Sequence, residues 1–430
     1  MTVLYNIIFV IFAVFYLPYL IFTGRYHRDI SQRFGFYPKG IYEAVKGKGI
    51  VWVHAVSVGE VRASRVLCER LIEKFPDKRL IISTITRTGN DTAKRLFGDK
   101  ATVLYLPVDI SFVVKSAIDR LRPDVFIIVE TEIWPNLITA LRKKDIPIVM
   151  VNGRVSPKSY RRYMWIRPLL KDVLKDITLY LMQTEEYADR IIKMGAPPKK
   201  VIVTGNMKFD AAGREYASGK LNPGAIRNDL SLKDGELLFI AGSTHRPEEE
   251  MVLRVYREII KEIPKTRLLI APRHTERSHE IEALIKRFNF VPVRISGIAG
   301  EERITPKGKE KVLLLDTMGR LSQLFSIADI VFMGGSLMRK GGQNILEPAT
   351  FSRPIIFGPH MFNFKDIAES FLNAGAACSV RDTKGLLETA NRLLTDGDRR
   401  KELGKRARSM VDKNAGATLR NIEKIDKVLS

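Results

Sequence analysis

Short apolar runs alternate with amphipathic stretches along most of the chain. Residues 50–53, 80–84, 102–106, 125–129, 148–151, 179–182 and 201–204 are rich in β-branched and aromatic side chains without polar alternation, as buried parallel strands are. Between them the spacing is helical; after Glu60, for example, Val61, Ser64, Leu67, Cys68 and Leu71 share one side. Strand and helix recurring at this interval predict βαβ units and a mainly parallel sheet covered on both faces. The pattern lapses over 211–223, where Gly213, Gly219 and Pro223 occur without an apolar period, the composition of an inter-domain connection. It resumes at 237–241, 267–271, 291–295, 312–315, 330–333 and 354–357, which predicts a second doubly wound sheet. Two α/β domains are therefore expected, at 50–215 and 224–430.

The first 24 residues follow another rule. They carry no charge, and 3–22 is a nearly continuous apolar run interrupted by Asn6 and Pro18. About 20 such residues match the hydrocarbon thickness of a bilayer. A cleaved signal peptide needs a basic start, a shorter apolar core and a small-x-small cleavage site, so an uncleaved anchor at 1–24 is the expectation. Arg25, Arg28, Arg33 and Lys39 follow the run and no basic side chain precedes it, which keeps the bulk of the chain on the cytoplasmic side. Residues 25–49, with Tyr26, Phe34, Phe36 and Tyr37 among basic side chains, read as an interfacial collar. A spanning segment and one lying in a single leaflet both fit, and Pro18 bends either.

Composition narrows the chemistry. At 430 residues the chain holds two domains of ordinary size without staples, and its two cysteines, Cys68 and Cys378, are far apart. No disulfide framework or cysteine metal site is expected. The formal charge of +23 points to acidic partners: anionic lipid, a phosphorylated substrate or nucleic acid. Solvated helix faces account for most basic runs, and the chain lacks RNP, finger and basic-zipper spacing, so nucleic acid is not expected. The six histidines form no HxxxH pair. Asp396–Gly397–Asp398 has the spacing of a metal-binding DxD, but it precedes a basic helix, and a turn with a helix cap explains it better. No metal is predicted.

Candidate chemistry gathers after the strands, at the sheet edge where open α/β folds bind ligands. Residues 51–63, VWVHAVSVGEVRA, lead from an apolar run through a small-residue loop to Glu60, which either serves chemistry or complements the positive helix start. VETEIWPN sets Glu130 and Glu132 two apart; Glu132 is also placed to complement a helix start, and mutual repulsion calls for a cationic or hydroxyl partner. The next strand ends in Asn152, Gly153 and Arg154, and TGNMKFD puts Lys208 within reach of an anion. In the second half, GSTHRPEEE (242–250), APRHTER (271–277) and GGSLMRKGGQNILEPA (334–349) follow strands. Arg273 offers a bidentate fork, and the paired glycines before Asn344 and Glu347 suggest free backbone N–H groups at a helix start, an anion site. Neither GxGxxG after a strand nor GxxxxGK[ST] is present, so dinucleotide and P-loop readings have no support.

HAVSVGE, VETEIWPN, NGR, GNMKFD, APRH, DTMG, GGSL, GGQNILEP and GPHMFNF, in this order and over nearly the whole chain, resemble the 3-deoxy-D-manno-octulosonic acid (Kdo) transferases of lipopolysaccharide assembly. The resemblance implies a GT-B fold, with two Rossmann-like domains facing a central cleft. It makes Glu60 the catalytic base and assigns Glu130 and Lys208 to transition-state stabilisation. It places the CMP-Kdo donor on Pro272, Arg273, Met318, Gly319, Arg320, Asn344, Ile345, Leu346 and Glu347. It implies a lipid A precursor as acceptor, no cofactor, and the anionic inner membrane as the working surface. The chain departs from the family pattern at Arg320, Gln343 and Ile345, where MGE and GGHNPLEP are usual. Arg320 removes a carboxylate but keeps a backbone contact. Two other classes use similar sequence features: a GT-B transferase or epimerase acting on a UDP-sugar, and a tethered protein that holds anionic lipid without turnover.

Overall fold

The structure, a computed structural model, describes residues 5–6, 29–217, 221–298 and 310–430. It divides into two compact units, residues 1–211 with 414–430, and residues 212–413. In the first, Gly49–His54 (β1), Lys78–Thr84 (β2), Ala101–Tyr105 (β3), Val125–Val129 (β4), Ile148–Gly153 (β5), Leu179–Met182 (β6) and Val201–Val203 (β7) lie in the order β3-β2-β1-β4-β5-β6-β7. All pairs are parallel. The chain winds outward from β1 to β3 and then returns to lay β4 beside β1, so the switch point lies between β1 and β4, where connecting loops part.

The period of two sorts side chains into two layers. Ile50 and Trp52 of β1 join Phe126, Ile128, Ile148 and Met150 on one face, while Val51 and Val53 join Val125, Ile127, Val149 and Val151 on the other. Burying each such side chain contributes about 1.5–3 kcal/mol, which fixes the register and therefore the height of every strand-end loop.

The second unit repeats the design with Leu237–Thr244 (β8), Thr266–Pro272 (β9), Val291–Arg294 (β10), Lys311–Leu314 (β11), Ile330–Met333 (β12), Ile355–Phe357 (β13) and Cys378–Ser379 (β14), ordered β10-β11-β9-β8-β12-β13-β14. Its switch point falls between β8 and β12. Every predicted strand is present. The two-residue β14, too short to leave a pattern, is added at the edge.

Three boundaries differ from expectation. The expected 224–430 domain loses its end: the helix Ala417–Leu429 packs Ala417, Ile422 and Ile425 against Leu67 and Leu71 of the first unit. Asp210 accepts the N–H groups of Gly416 and Thr418 at 2.6 Å each, and Arg420 Nε donates to Thr204 O at 2.8 Å. Residues 211–223 are not all loop, because the helix Lys208–Ala217 runs into them. Within the collar, Tyr37 is buried in the first core and Arg33 donates to Leu106 O at 2.6 Å, so both belong to the domain; Phe34 and Phe36 stay exposed. The anchor expected at 1–24 lies outside the described residues except for Tyr5 and Asn6. Asn6 is hydrogen-bonded to Ser111 and Asn136. No helix among the described residues is long and apolar enough to cross a membrane.

Candidate active site

The loop leaving β1 at the switch point ends in the short helix Val58–Ala63, with Glu60 in its first turn. The Val56 N–H donates to Glu60 Oε2 at 2.7 Å and the Ser57 hydroxyl to Oε1 at 3.0 Å. The carboxylate thus folds back over the loop at the helix start, as the sequence alternative allowed. It is half-buried among polar groups rather than enclosed in hydrocarbon. Burial, and next the charge of Glu130, push its carboxyl up to about 7 against the pull of the Val56 N–H. A carboxyl titrating there can accept protons efficiently at neutral pH, so its place at the helix start leaves it able to act as a base.

Glu130 directly follows β4 and takes φ 63°, a left-handed conformation that costs a non-glycine residue about 1–3 kcal/mol. Its N–H donates to Val151 O at 2.9 Å, which holds the turn. Its carboxylate lies 3.3 Å from Lys208 Nζ, the cationic partner that the repulsion argument required. The neighbouring strand end locates that lysine: Asn152, at φ 54°, accepts the Met207 N–H at 3.0 Å, and Asn206 Oδ1 accepts the Lys208 N–H at 3.0 Å.

Glu132 does not cap the following helix. The first N–H groups of Pro135–Arg142, on Asn136 and Leu137, donate to Asp109 at 3.1 and 2.8 Å. Glu132 remains near the other carboxylates, and burial, then Glu130, push it up to about 7. The site therefore joins three carboxylates and Lys208. Sequence reasoning missed Asp109 because a cap supplied by a distant loop has no local signature. Arg154 is held at the side, its Nε donating to Tyr187 Oη at 3.4 Å and its backbone paired with Thr131. His54 is fully buried against Ser83 and Phe126, and burial drives its imidazole down to about 3, so it stays neutral.

In the second unit Pro272 closes β9, and the Arg273 N–H donates to Thr244 O at 3.0 Å. The Arg273 guanidinium is exposed, with no ion pair among the described residues. Beside it, the rings of His245 and His274 stand edge to face at 5.7 Å. Burial, then His274, lowers the affinity of His245 for a proton. Both histidines lie in strand-end motifs singled out from the sequence but were not named as binding residues. Met318 and Arg320 are exposed around Gly319, whose φ of 87° turns the chain after β11. Asn344 Oδ1 accepts the Leu346 N–H at 3.2 Å while its Nδ2 donates to Glu347 Oε1 at 3.1 Å, fixing both polar groups of that motif.

One expectation is narrowed here and another is corrected. Ile345 and Leu346 have fully buried side chains and keep only backbone for a ligand. The glycine pairs do not leave an open nest. Glu248, itself buried, accepts the N–H groups of Gly335, Ser336 and Leu337 at 2.6, 3.0 and 3.0 Å, and that of His245 at 2.9 Å. The Gly342 N–H donates to Gly335 O at 2.8 Å, and a Cβ at Gly341 or Gly342 would strike Asn363 or Met361. These glycines let two loops meet closely, with an internal carboxylate in the position of an anion. Among the described residues no group of three His, Cys, Asp or Glu side chains can hold a metal, and Asp396 accepts the Arg399 N–H at 2.9 Å as a helix cap.

The chain is similar to known proteins over most of its length. Residues 28–211 match a family model described as 3-deoxy-D-manno-octulosonic-acid transferase (kdotransferase). A 3-deoxy-D-manno-octulosonic acid transferase of Haemophilus influenzae is 34% identical over 402 residues, 93% of this chain and 91% of that one. One from Chlamydophila psittaci is 32% identical over 390 residues, 89% and 86% of the two chains. Among solved structures, UDP-GlcNAc 2-epimerase from Neisseria meningitidis superposes with a TM-score of 0.60 at 13% identity, over 88% of this chain and all (100%) of that one, a likeness of fold alone. By descent and by the order of its motifs, the chain belongs to the 3-deoxy-D-manno-octulosonic acid transferase family.

Proposed function

We propose that the protein is an inverting, metal-independent glycosyltransferase that moves Kdo from CMP-Kdo to the primary hydroxyl of a lipid A precursor in lipopolysaccharide assembly. The observation that carries this reading is Glu60, a half-buried carboxyl poised near pH 7 at the switch point, one strand from the Glu130–Lys208 pair. Glu60 removes the proton of the acceptor hydroxyl as that oxygen attacks the anomeric carbon of Kdo. The carbon–oxygen bond to CMP breaks on the opposite face, and configuration inverts. Glu130 stabilises the cationic, oxocarbenium-like state from a fixed position, and Lys208 offsets the negative charge of the departing CMP. Arg273, with His245 and His274 beside it, supports a binding place for the CMP phosphate, and Asn344 and Glu347 are ordered to accept from ribose hydroxyls. One phosphate carries little charge, so Arg273 and Lys208 offset it without Mg²⁺. The apolar run at 1–24 anchors the enzyme at the inner membrane, on the cytoplasmic face, where its lipid acceptor lies.

The test is transfer from CMP-Kdo to lipid A precursor, followed by CMP release. Glu60→Gln retains CMP-Kdo binding and loses about 10²–10⁴-fold in rate. More than a tenth of the rate remaining removes Glu60 from the role of base. EDTA leaves the rate unchanged; inhibition reversed by Mg²⁺ overturns the metal-free mechanism. Competition by UDP in place of CMP favours the sugar-nucleotide alternative.

A further inference from the structure

Lys208 Nζ stands 3.3 Å from Glu130, yet the two residues follow strands that are not neighbours. Glu130 follows β4 and Lys208 follows β7, and β5 and β6 lie between those strands in the sheet. Three strand spacings amount to about 14 Å, so residues 204–208 must run back along the sheet edge to bring the lysine to the carboxylate. The strand they leave gives them little support, because β7 is at the edge of the sheet and all three of its residues are only half-buried. One hold comes from β5, where Asn152 Oδ1 accepts the Met207 N–H at 3.0 Å.

The other holds come from the last helix of the chain, Ala417–Leu429. Arg420 Nε donates to Thr204 O at 2.8 Å, just where the chain leaves β7. Gly205, at φ 96°, lets the helix lie close, since a Cβ there would come within 3.0 Å of Arg420 Nη2 and 3.4 Å of the Ala417 Cβ. Past the lysine, Asp210 accepts the Gly416 and Thr418 N–H groups at 2.6 Å each. The position before the helix is Gly416, where a serine, threonine, asparagine or aspartate would ordinarily supply the cap, and a glycine has no side chain to do so. Asp210 provides that cap from the first turn of Lys208–Ala217, two residues beyond Lys208. The last helix therefore grips the segment at 204 and at 210, on either side of the lysine.

We propose that Asp210 and Arg420 are positioning residues for the transfer reaction, through which the last helix sets where Lys208 stands against Glu130. The inference rests on the assignment of Lys208 to the charge of the departing CMP. Loosening the grip deprives that charge of its cation as the bond breaks, while Arg273, Asn344 and Glu347 in the second domain keep their own contacts. The effect therefore falls on kcat and spares KM for CMP-Kdo.

The full-length chain is compared with Asp210→Asn, Arg420→Ala and, as a matched control, Ile425→Ala, which removes a buried side chain two turns further along the same helix. The first readout is independent of transfer: acetylation of Lys208 by acetic anhydride, followed by peptide mass spectrometry. Its side chain is 22% exposed and paired in the wild type. Acetylation is severalfold faster in Asp210→Asn and Arg420→Ala and unchanged in Ile425→Ala, although Ile425→Ala lowers the unfolding midpoint. The second readout is CMP release with lipid A precursor. In Asp210→Asn and Arg420→Ala kcat falls about tenfold or more with KM for CMP-Kdo unchanged, and Ile425→Ala keeps the wild-type rate. In a Lys208→Ala background, Asp210→Asn causes no further loss. Unchanged acetylation of Lys208 in Asp210→Asn overturns the proposal, as does a rate loss that persists in the Lys208→Ala background or is matched by Ile425→Ala. A slow Lys208→Ala beside a full-rate Asp210→Asn overturns this inference alone. A wild-type rate in Lys208→Ala overturns the role of Lys208 and this inference with it.

Discussion

The ionisation of Glu60 is set by opposing influences, of which burial and neighbouring charge are the larger. Two hydrogen bonds favour its ionised form, while burial and the charges of Glu130 and Glu132 favour the protonated one, and the balance settles at about 7. In the proposed mechanism Glu60 acts deprotonated, so kcat/KM should fall as pH drops below about 7. Glu130→Gln deletes the second-largest cause, so the acid limb of the pH–rate profile should move to lower pH whatever happens to its height; a limb that stays in place shows that another group titrates. Stability responds in the opposite sense. A carboxyl raised above its unfolded value binds its proton more tightly in the folded state, so its contribution is present at low pH and is lost as pH rises from the usual glutamate range to about 7. Glu132→Gln should therefore raise Tm by ~2–4 °C at pH 8 and leave it unchanged at pH 4, as calorimetry can check. Glu60, Glu130 and Lys208 were legible in the sequence because each stands at the end of a strand-like run. Asp109 and Glu248 were not, because their hydrogen-bonding partners come from loops far along the chain.

Strands were the most readable elements, since continuous β-branched runs buried on both faces leave little choice of period. The loops were harder. The glycines at 334–335 have the composition of a phosphate cradle, and composition cannot reveal that a side chain of the protein already fills it. Glu248 ties the ends of β8 and β12 together through four backbone N–H groups, which makes it the organiser of the second switch point. Glu248→Ala leaves those groups without an acceptor in a buried place, at a cost of about 3 kcal/mol or more. The expected outcome is a lower denaturation midpoint together with at least tenfold weaker CMP binding by calorimetry. Loss of stability with unchanged CMP affinity would separate this loop from the donor site.

At the scale of the molecule, the alternation of strand and helix revealed two sheets but not which one the last helix covers. An amphipathic helix states that it needs an apolar partner and says nothing of where that partner lies. Here Asp210, Thr204 and Lys74 hold it to the first domain, the last through a 2.6 Å pair with Asp426. A chain ending at 413 should lose thermal stability in the first domain and keep the second intact, giving two separated calorimetric transitions. The arrangement also sets an order of events during synthesis. Domains usually complete themselves as they leave the ribosome, starting from the amino end. In this protein the carboxyl-terminal domain is finished while its predecessor still waits, with the groove beside Leu67 and Leu71 uncovered, for the final segment to be translated.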